Sequence, residues 1–175
     1  MEPYYITIEM NRSLYEYIVH TTGSRIIRPG KMGILWAVIK QHLICYTDHQ
    51  LESSQVTEPT NKYSLQIELK RKNGAQSYSH SDHVTRQLNL SCRVYMSNKG
   101  KRVITRLLSI EFQKTFLDYM SGATINNPHI NIKDIIINFC DQYGMDFATA
   151  YEMLKKRWYR HRCRSQNQQN TLINF

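Results

Sequence analysis

Residues 132–164 read IKDIIINFCDQYGMDFATAYEMLKKRWYRHRCR, and two helical patterns meet in them at Tyr143-Gly144-Met145-Asp146. In the first pattern Ile132, Ile135, Ile136, Phe139, Cys140 and Tyr143 recur at spacings of three and four, which places them on one face of a 3.6-residue helix. Gly144 is expected to end that helix, because glycine takes the left-handed conformation at a helix C-terminus without a Cβ clash. Asp146 is expected to cap the next helix by accepting from its free backbone N–H groups. The second helix then carries Phe147, Ala150, Tyr151, Leu154 and Trp158 on its apolar face, and turns strongly basic from Lys155 to Arg164. Two helices joined by so short a turn must pack at an angle to one another. The rest of the chain is read outward from this pair.

The spacing of Phe139, Cys140, Tyr143, Gly144, Met145, Ala150 and Met153 resembles a helix-turn-helix, in which a small and an apolar residue sit on the first helix, glycine opens the turn and apolar residues of the second helix lock the pair. The resemblance implies DNA binding, with duplex DNA as the expected partner. In that family the front of the second helix approaches base edges; here the front carries Asp146 and Glu152 and the positive charge lies at the back. The residues expected to meet nucleic acid are therefore Lys155, Lys156, Arg157, Arg160, Arg162 and Arg164 for phosphates, with Trp158 and Tyr159 packing or stacking. The opposing explanation is that these cations complement the negative end of the helix dipole and keep the helix soluble.

The chain has 175 residues, enough for one domain with a substantial core or for two small modules, and carries a formal charge of +9. The excess is uneven. Residues 1–86 hold ten basic and eight acidic side chains and residues 87–175 hold thirteen and six, so the second half is the electrostatic half. A basic surface of this kind attracts phosphate backbones or acidic membranes. Cys45, Cys92, Cys140 and Cys163 are too widely spaced for a zinc knuckle or a redox pair and read as reduced intracellular thiols, with Cys140 a small core residue. No signal pattern opens the chain, and the apolar run Met32–Ile39 is far too short to cross a bilayer. A cytoplasmic protein without a membrane partner is expected.

From the N-terminus, Tyr4–Met10 alternates as a half-buried strand with Ile6, Ile8 and Met10 inward. A helix with a Leu14, Tyr17 and Ile18 stripe follows and closes at Thr22-Gly23. Ser24–Lys31 reads as a loop. A second helix is expected from Met32 to about Tyr46, with Ile34, Leu35, Val38, Ile39 and Leu43 as its stripe. Strand, helix, loop, helix over residues 4–46 resembles a ribbon-helix-helix module, which implies a homodimer presenting Tyr5, Thr7 and Glu9 to DNA; a sheet formed within the chain is the competing expectation. Residues 1–50 are thus read as one module, 51–62 as a polar linker or loop, and 63–175 as a sheet with helices.

In that second part Leu65, Ile67 and Leu69 alternate inward, Asn73-Gly74 signals a tight turn, and 75–86 reads as a loop or weak edge strand. Leu88, Leu90, Cys92, Val94 and Met96 define a continuous strand that Asn98-Lys99-Gly100 ends. A helix is expected over Arg102–Met120, with Ile104, Leu107, Leu108, Phe112, Phe116, Tyr119 and Met120 on one face. Lys101, Arg102 and Arg106, near its start, make a second candidate phosphate patch. Ser121–Asn131 reads as a connector, Gln166–Asn170 as a polar spacer, and Leu172, Ile173 and Phe175 as an apolar tail able to dock on a protein partner.

Catalytic signatures are lacking: there is no phosphate-binding glycine loop, and no cofactor is expected. His80-Ser81-Asp82-His83 is the densest cluster of ligand types, but two histidines and one carboxylate in a polar loop are not a coordination sphere, so no metal site is expected there. The chain is therefore read as an α+β protein, a small antiparallel sheet against helices with a helix-turn-helix-like pair at its C-terminus. Its expected role is non-catalytic binding of nucleic acid, as a regulator or accessory factor. The alternatives are a component of a larger assembly, such as a virion, or an inhibitor docking on an acidic partner.

Overall fold

The computed structural model describes residues 4–28, 34–46, 62–69, 76–79, 85–88 and 93–173. Five helices and seven strands lie among them: β1 (Tyr4–Glu9), α1 (Arg12–Thr22), β2 (Ile26–Ile27), α2 (Ile34–His42), β3 (Leu43–Tyr46), β4 (Ser64–Leu69), β5 (Gln76–Ser79), β6 (Thr85–Leu88), β7 (Arg93–Met96), α3 (Asn98–Asn126), α4 (Ile132–Gln142) and α5 (Phe147–Ile173). The protein is mixed α+β, as its patterns predict. It groups into two compact units that do not follow chain order. One comprises residues 1–11 and 22–108; the other comprises 12–21 and 109–175, so that α1 joins the C-terminal helices.

In the first unit a three-stranded sheet has the order β1-β4-β2. β1 and β4 run antiparallel with Ile6 opposite Ile67 and Ile8 opposite Leu65, and all four side chains are buried. The alternation that predicted both strands is therefore the alternation of one buried face. β1 thus pairs with a strand of the same chain, which is the competing expectation to the ribbon. The sheet is not purely antiparallel. Ile26 and Ile27, expected in a loop, form β2 and lie parallel to β4, with Arg28 Nε bonded to Glu68 Oε2 at 2.7 Å beside them. Two adjacent isoleucines are too short a run to show a period, and only the open edge of β4 makes them a strand.

Three further expectations in this unit are corrected. The helix expected to reach Tyr46 stops at His42, and Leu43–Tyr46 becomes β3, antiparallel to β7 with Leu43 opposite Met96. Ile34, placed on the stripe of that helix, stands 74% exposed, while Ile39 and Leu43 are buried. Of the strand read over 88–96, Leu88 closes β6, which pairs with β5 across 76–79, and Arg93–Met96 forms β7, paired with β3; residues 89–92 lie outside the described residues. β7 ends at Met96, just before Asn98-Lys99-Gly100 as expected, but these three residues form the first turn of α3, a helix expected to start only at Arg102. Ser97 caps it, its Oγ accepting from the Gly100 N–H at 3.1 Å and its carbonyl from the Lys101 N–H at 3.0 Å. Gly100 is there for space, since a Cβ would lie 2.6 Å from the His42 Cβ and 2.9 Å from the Met96 Cγ. The Asn73-Gly74 turn and the His80–His83 cluster lie outside the described residues.

In the second unit α1, the part of α3 from Ser109, α4 and α5 surround an aromatic core. Phe139 of α4 is its centre. Its ring lies 4.6 Å from Tyr143, 5.1 Å from Phe116, 5.3 Å from Tyr119 and 6.3 Å from Phe112, in tilted and edge-on arrangements that suit the ring quadrupoles. Tyr17 of α1 joins it, 4.8 Å from Phe112 and 5.3 Å from Tyr143, and its hydroxyl donates to Thr115 Oγ1 at 3.0 Å. Two helix ends are corrected here. α3 runs on through Gly122 to Asn126, leaving only a short connector to α4, and the backbone of α5 stays helical through the expected spacer to Ile173. Neither stretch contains proline, the residue that would break a helix interior.

Candidate nucleic-acid interface

The frame of the site is α4, the turn and α5, whose helices pack against each other. α4 begins at Asn131, which accepts from the Lys133 N–H at 3.0 Å, and buries Ile135, Ile136, Phe139 and Cys140. Burial, together with the nearby carboxylates of Asp141, Asp146 and Glu16, pushes the Cys140 thiol up to about 11, the behaviour of an inert core thiol. The helix ends where expected. Gly144 has φ +59°, and the Met145 N–H donates to the Cys140 carbonyl at 2.8 Å, closing the turn. Asp146 then caps α5: its Oδ1 accepts from the Ala148 N–H at 3.2 Å and its Oδ2 from the Thr149 hydroxyl at 2.6 Å. Hydrogen bonding from Thr149 is the largest influence and holds the Asp146 carboxyl below its ordinary value of 3.8; desolvation opposes it, and the positive charge of Arg12 and the Ala148 N–H add to the lowering.

Three side chains of α1 that carry no motif complete this turn. Arg12 bonds Glu16 Oε1 at 2.6 Å, Asp146 Oδ2 at 3.0 Å and Thr149 Oγ1 at 3.2 Å. Glu16 Oε2 accepts from the Asp146 N–H at 2.9 Å. His20 lies against Gly144, where an added Cβ would stand 2.6 Å from His20 Cδ2. Some 130 residues separate Glu16 from Asp146, so no local pattern announces the contact.

Further along α5 the predicted residues divide by face. Leu154 and Trp158 are buried, Trp158 to 4% exposure, with its ring stacked on His161 at 5.8 Å. Trp158 is thus a packing residue, and the aromatic that reaches solvent in the basic stretch is Tyr159, 46% exposed. Arg157 is half-buried with its guanidinium over the Phe112 ring at 5.4 Å, and burial lowers its pKa from the ordinary guanidinium value. Arg157 Nη1, Trp158 Nε1 and His161 Nδ1 are buried without a hydrogen-bond partner among the described residues. Lys155 Nζ lies over the Tyr151 ring at 5.3 Å, and Tyr151 lies 5.0 Å from Phe147. Lys156, Arg160, Arg162 and Arg164 are exposed, and among the described residues none of them lies within ion-pair distance of a carboxylate. Lys101, Arg102 and Arg106 belong to the first unit, on α3, with Arg102 and Arg106 exposed and Lys101 half-buried.

No protein-family model, no curated protein and no solved structure matches the chain. Among the described residues no group of histidine, cysteine and carboxylate side chains is arranged to hold a metal ion, and no helix is long and apolar enough to cross a membrane.

Proposed function

We propose that the protein is a non-catalytic nucleic-acid-binding factor, a regulator or accessory protein that grips phosphate through the exposed side of α5. The observation that carries this reading is the set Lys156, Arg160, Arg162 and Arg164, exposed on one helix and uncompensated by carboxylates among the described residues. Cations in that state retain their full attraction for phosphate and release counterions when they meet it. Arg157 and Trp158 leave the contact set because they pack inward, while Lys101, Arg102 and Arg106 remain a second candidate patch. Phosphate contacts position a protein without reading sequence, and DNA is taken as the partner from the resemblance of residues 132–164 to a helix-turn-helix.

The test replaces Lys156, Arg160, Arg162 and Arg164 with glutamine. Binding should weaken alike for unrelated sequences, and each lost contact should remove about 0.9 from the slope of log affinity against log salt for duplex, or about 0.7 for a single strand. An unchanged slope would move the contact elsewhere. Purified protein free of nucleic acid, combined with no shift of any DNA or RNA fragment, would favour an assembly component or an inhibitor of an acidic partner.

A further inference from the structure

We infer that α5 takes single-stranded nucleic acid, with the Tyr159 ring as the platform on which an unpaired base stacks. This rests on the reading of α5 as a phosphate-binding helix and narrows it. The contrast between the first turns of the helix and the stretch from Lys155 to Arg164 to the rear of them supplies the argument.

A helix that reads duplex DNA from the major groove brings its front to the base edges, between two phosphate backbones. The front of α5 is closed to that approach. Glu16 accepts from the Asp146 N–H, Asp146 is held by Thr149 and Arg12, and Glu152 stands exposed in the second turn. Three carboxylates against the single Arg12 guanidinium leave this end negative, and entry between phosphates is opposed.

The rear has the opposite construction. On a helix surface, residues three and four apart are neighbours, with Cβ atoms roughly 5–6 Å apart. The neighbours of Tyr159 are Lys155 and Lys156 on one side and Arg162 and Cys163 on the other. The ring therefore has two cationic neighbours, Lys156 and Arg162, and is bounded on its remaining side by a short, exposed thiol. Lys155 directs its ammonium over Tyr151. Trp158, buried against His161, pins the helix so that the next residue faces outward.

An exposed aromatic face within a cluster of cations is the means by which single strands are held: the cations follow the backbone and the ring stacks any base, since every base has a π-face. A duplex offers Tyr159 no such partner. Its bases are already stacked inside, and its outer surface presents phosphate and sugar. The strand should be bound with little sequence preference, because stacking does not read base edges.

The test uses the full chain and follows the anisotropy of a labelled oligothymidylate, alone and annealed to oligodeoxyadenylate, over a range of salt. The single strand should bind more tightly than the duplex at every salt concentration. Tyr159→Ala should weaken single-strand binding roughly tenfold and change duplex binding by less than about twofold, whereas Tyr159→Phe should bind like the parent. The salt slope should not move in either variant, since no charge is removed. Duplex binding as tight as single-strand binding, or an alanine variant that weakens both or neither, overturns the inference. If those results accompany a slope that flattens in the glutamine variants, phosphate contact by α5 survives and only the single-strand reading falls. If neither oligonucleotide binds, both fall together.

Discussion

At the front of α5, Arg12, Glu16, Asp146 and Thr149 satisfy one another in a closed set of hydrogen bonds and ion pairs; toward the rear, Lys156, Arg160, Arg162 and Arg164 are exposed with no carboxylate partner among the described residues. The same kind of side chain serves two purposes. Charges drawn from helices far apart in sequence fix a turn, and their attraction is spent within the fold. Charges repeated along one helix, as Lys156, Arg160 and Arg164 are at steps of four, repel one another by about 0.2–0.5 kcal/mol per pair. That cost is small, and it leaves the attraction available to a partner. The front of α5 belongs to folding; the rear, on the function proposed above, is left for binding.

The most damaging way to break this contrast is through the turn that sets the front. Gly144→Val should destabilise the protein by about 1–3 kcal/mol for the strained backbone alone, because φ is +59° and a Cβ would also meet His20 Cδ2 at 2.6 Å. Gly144→Asn should be milder, since asparagine tolerates the left-handed region. Combining either with His20→Ala should restore only the steric part. Denaturant melts of the parent and the four variants check this, and equal stabilities throughout would mean that the first helix does not end at Gly144.

A smaller effect follows from the cap. A carboxyl held below its ordinary 3.8 favours the folded state above that value and gives up the benefit as pH falls through the lowered folded pKa. Asp146→Asn keeps a capping side chain but cannot titrate. Melting temperature measured downward from neutral pH should therefore fall more steeply for the parent than for the variant once pH passes below 3.8. Parallel curves would mean that the bonds from Thr149 and Arg12 add nothing to the cap.

The smallest effect is expected at the rear. Replacing Lys156 and Arg160 with glutamine should leave stability within about 0.5 kcal/mol of the parent, and relief of like-charge repulsion makes a slight gain the expected sign. A large loss in the same melt would place these cations in the fold and remove the contrast between the two ends.

Much of the second unit was legible because its signals are local. Phe139, Cys140, Gly144, Asp146, Ala150 and Leu154 announce themselves by a 3.6-residue period, a positive-φ residue and a capping carboxylate, each a property of a few consecutive residues. The buried faces of β1 and β4 were visible for the same reason, as alternation. What escaped were decisions made by remote partners. Leu43–Tyr46 reads as helix until β7 is present to pair with it, Ile26–Ile27 has no period until β4 offers an edge, and Asn98–Gly100 reads as a stop until Ser97 caps it and His42 approaches. The same division runs through the site. Its charge and its helix were evident in residues 147–164, because composition and period are carried by the chain alone. That Trp158 packs while Tyr159 is exposed, that Arg157 lies over Phe112, and that Arg12, Glu16 and His20 close the turn were decided by packing, since burial and ion pairing are relations between segments that meet only in the folded protein.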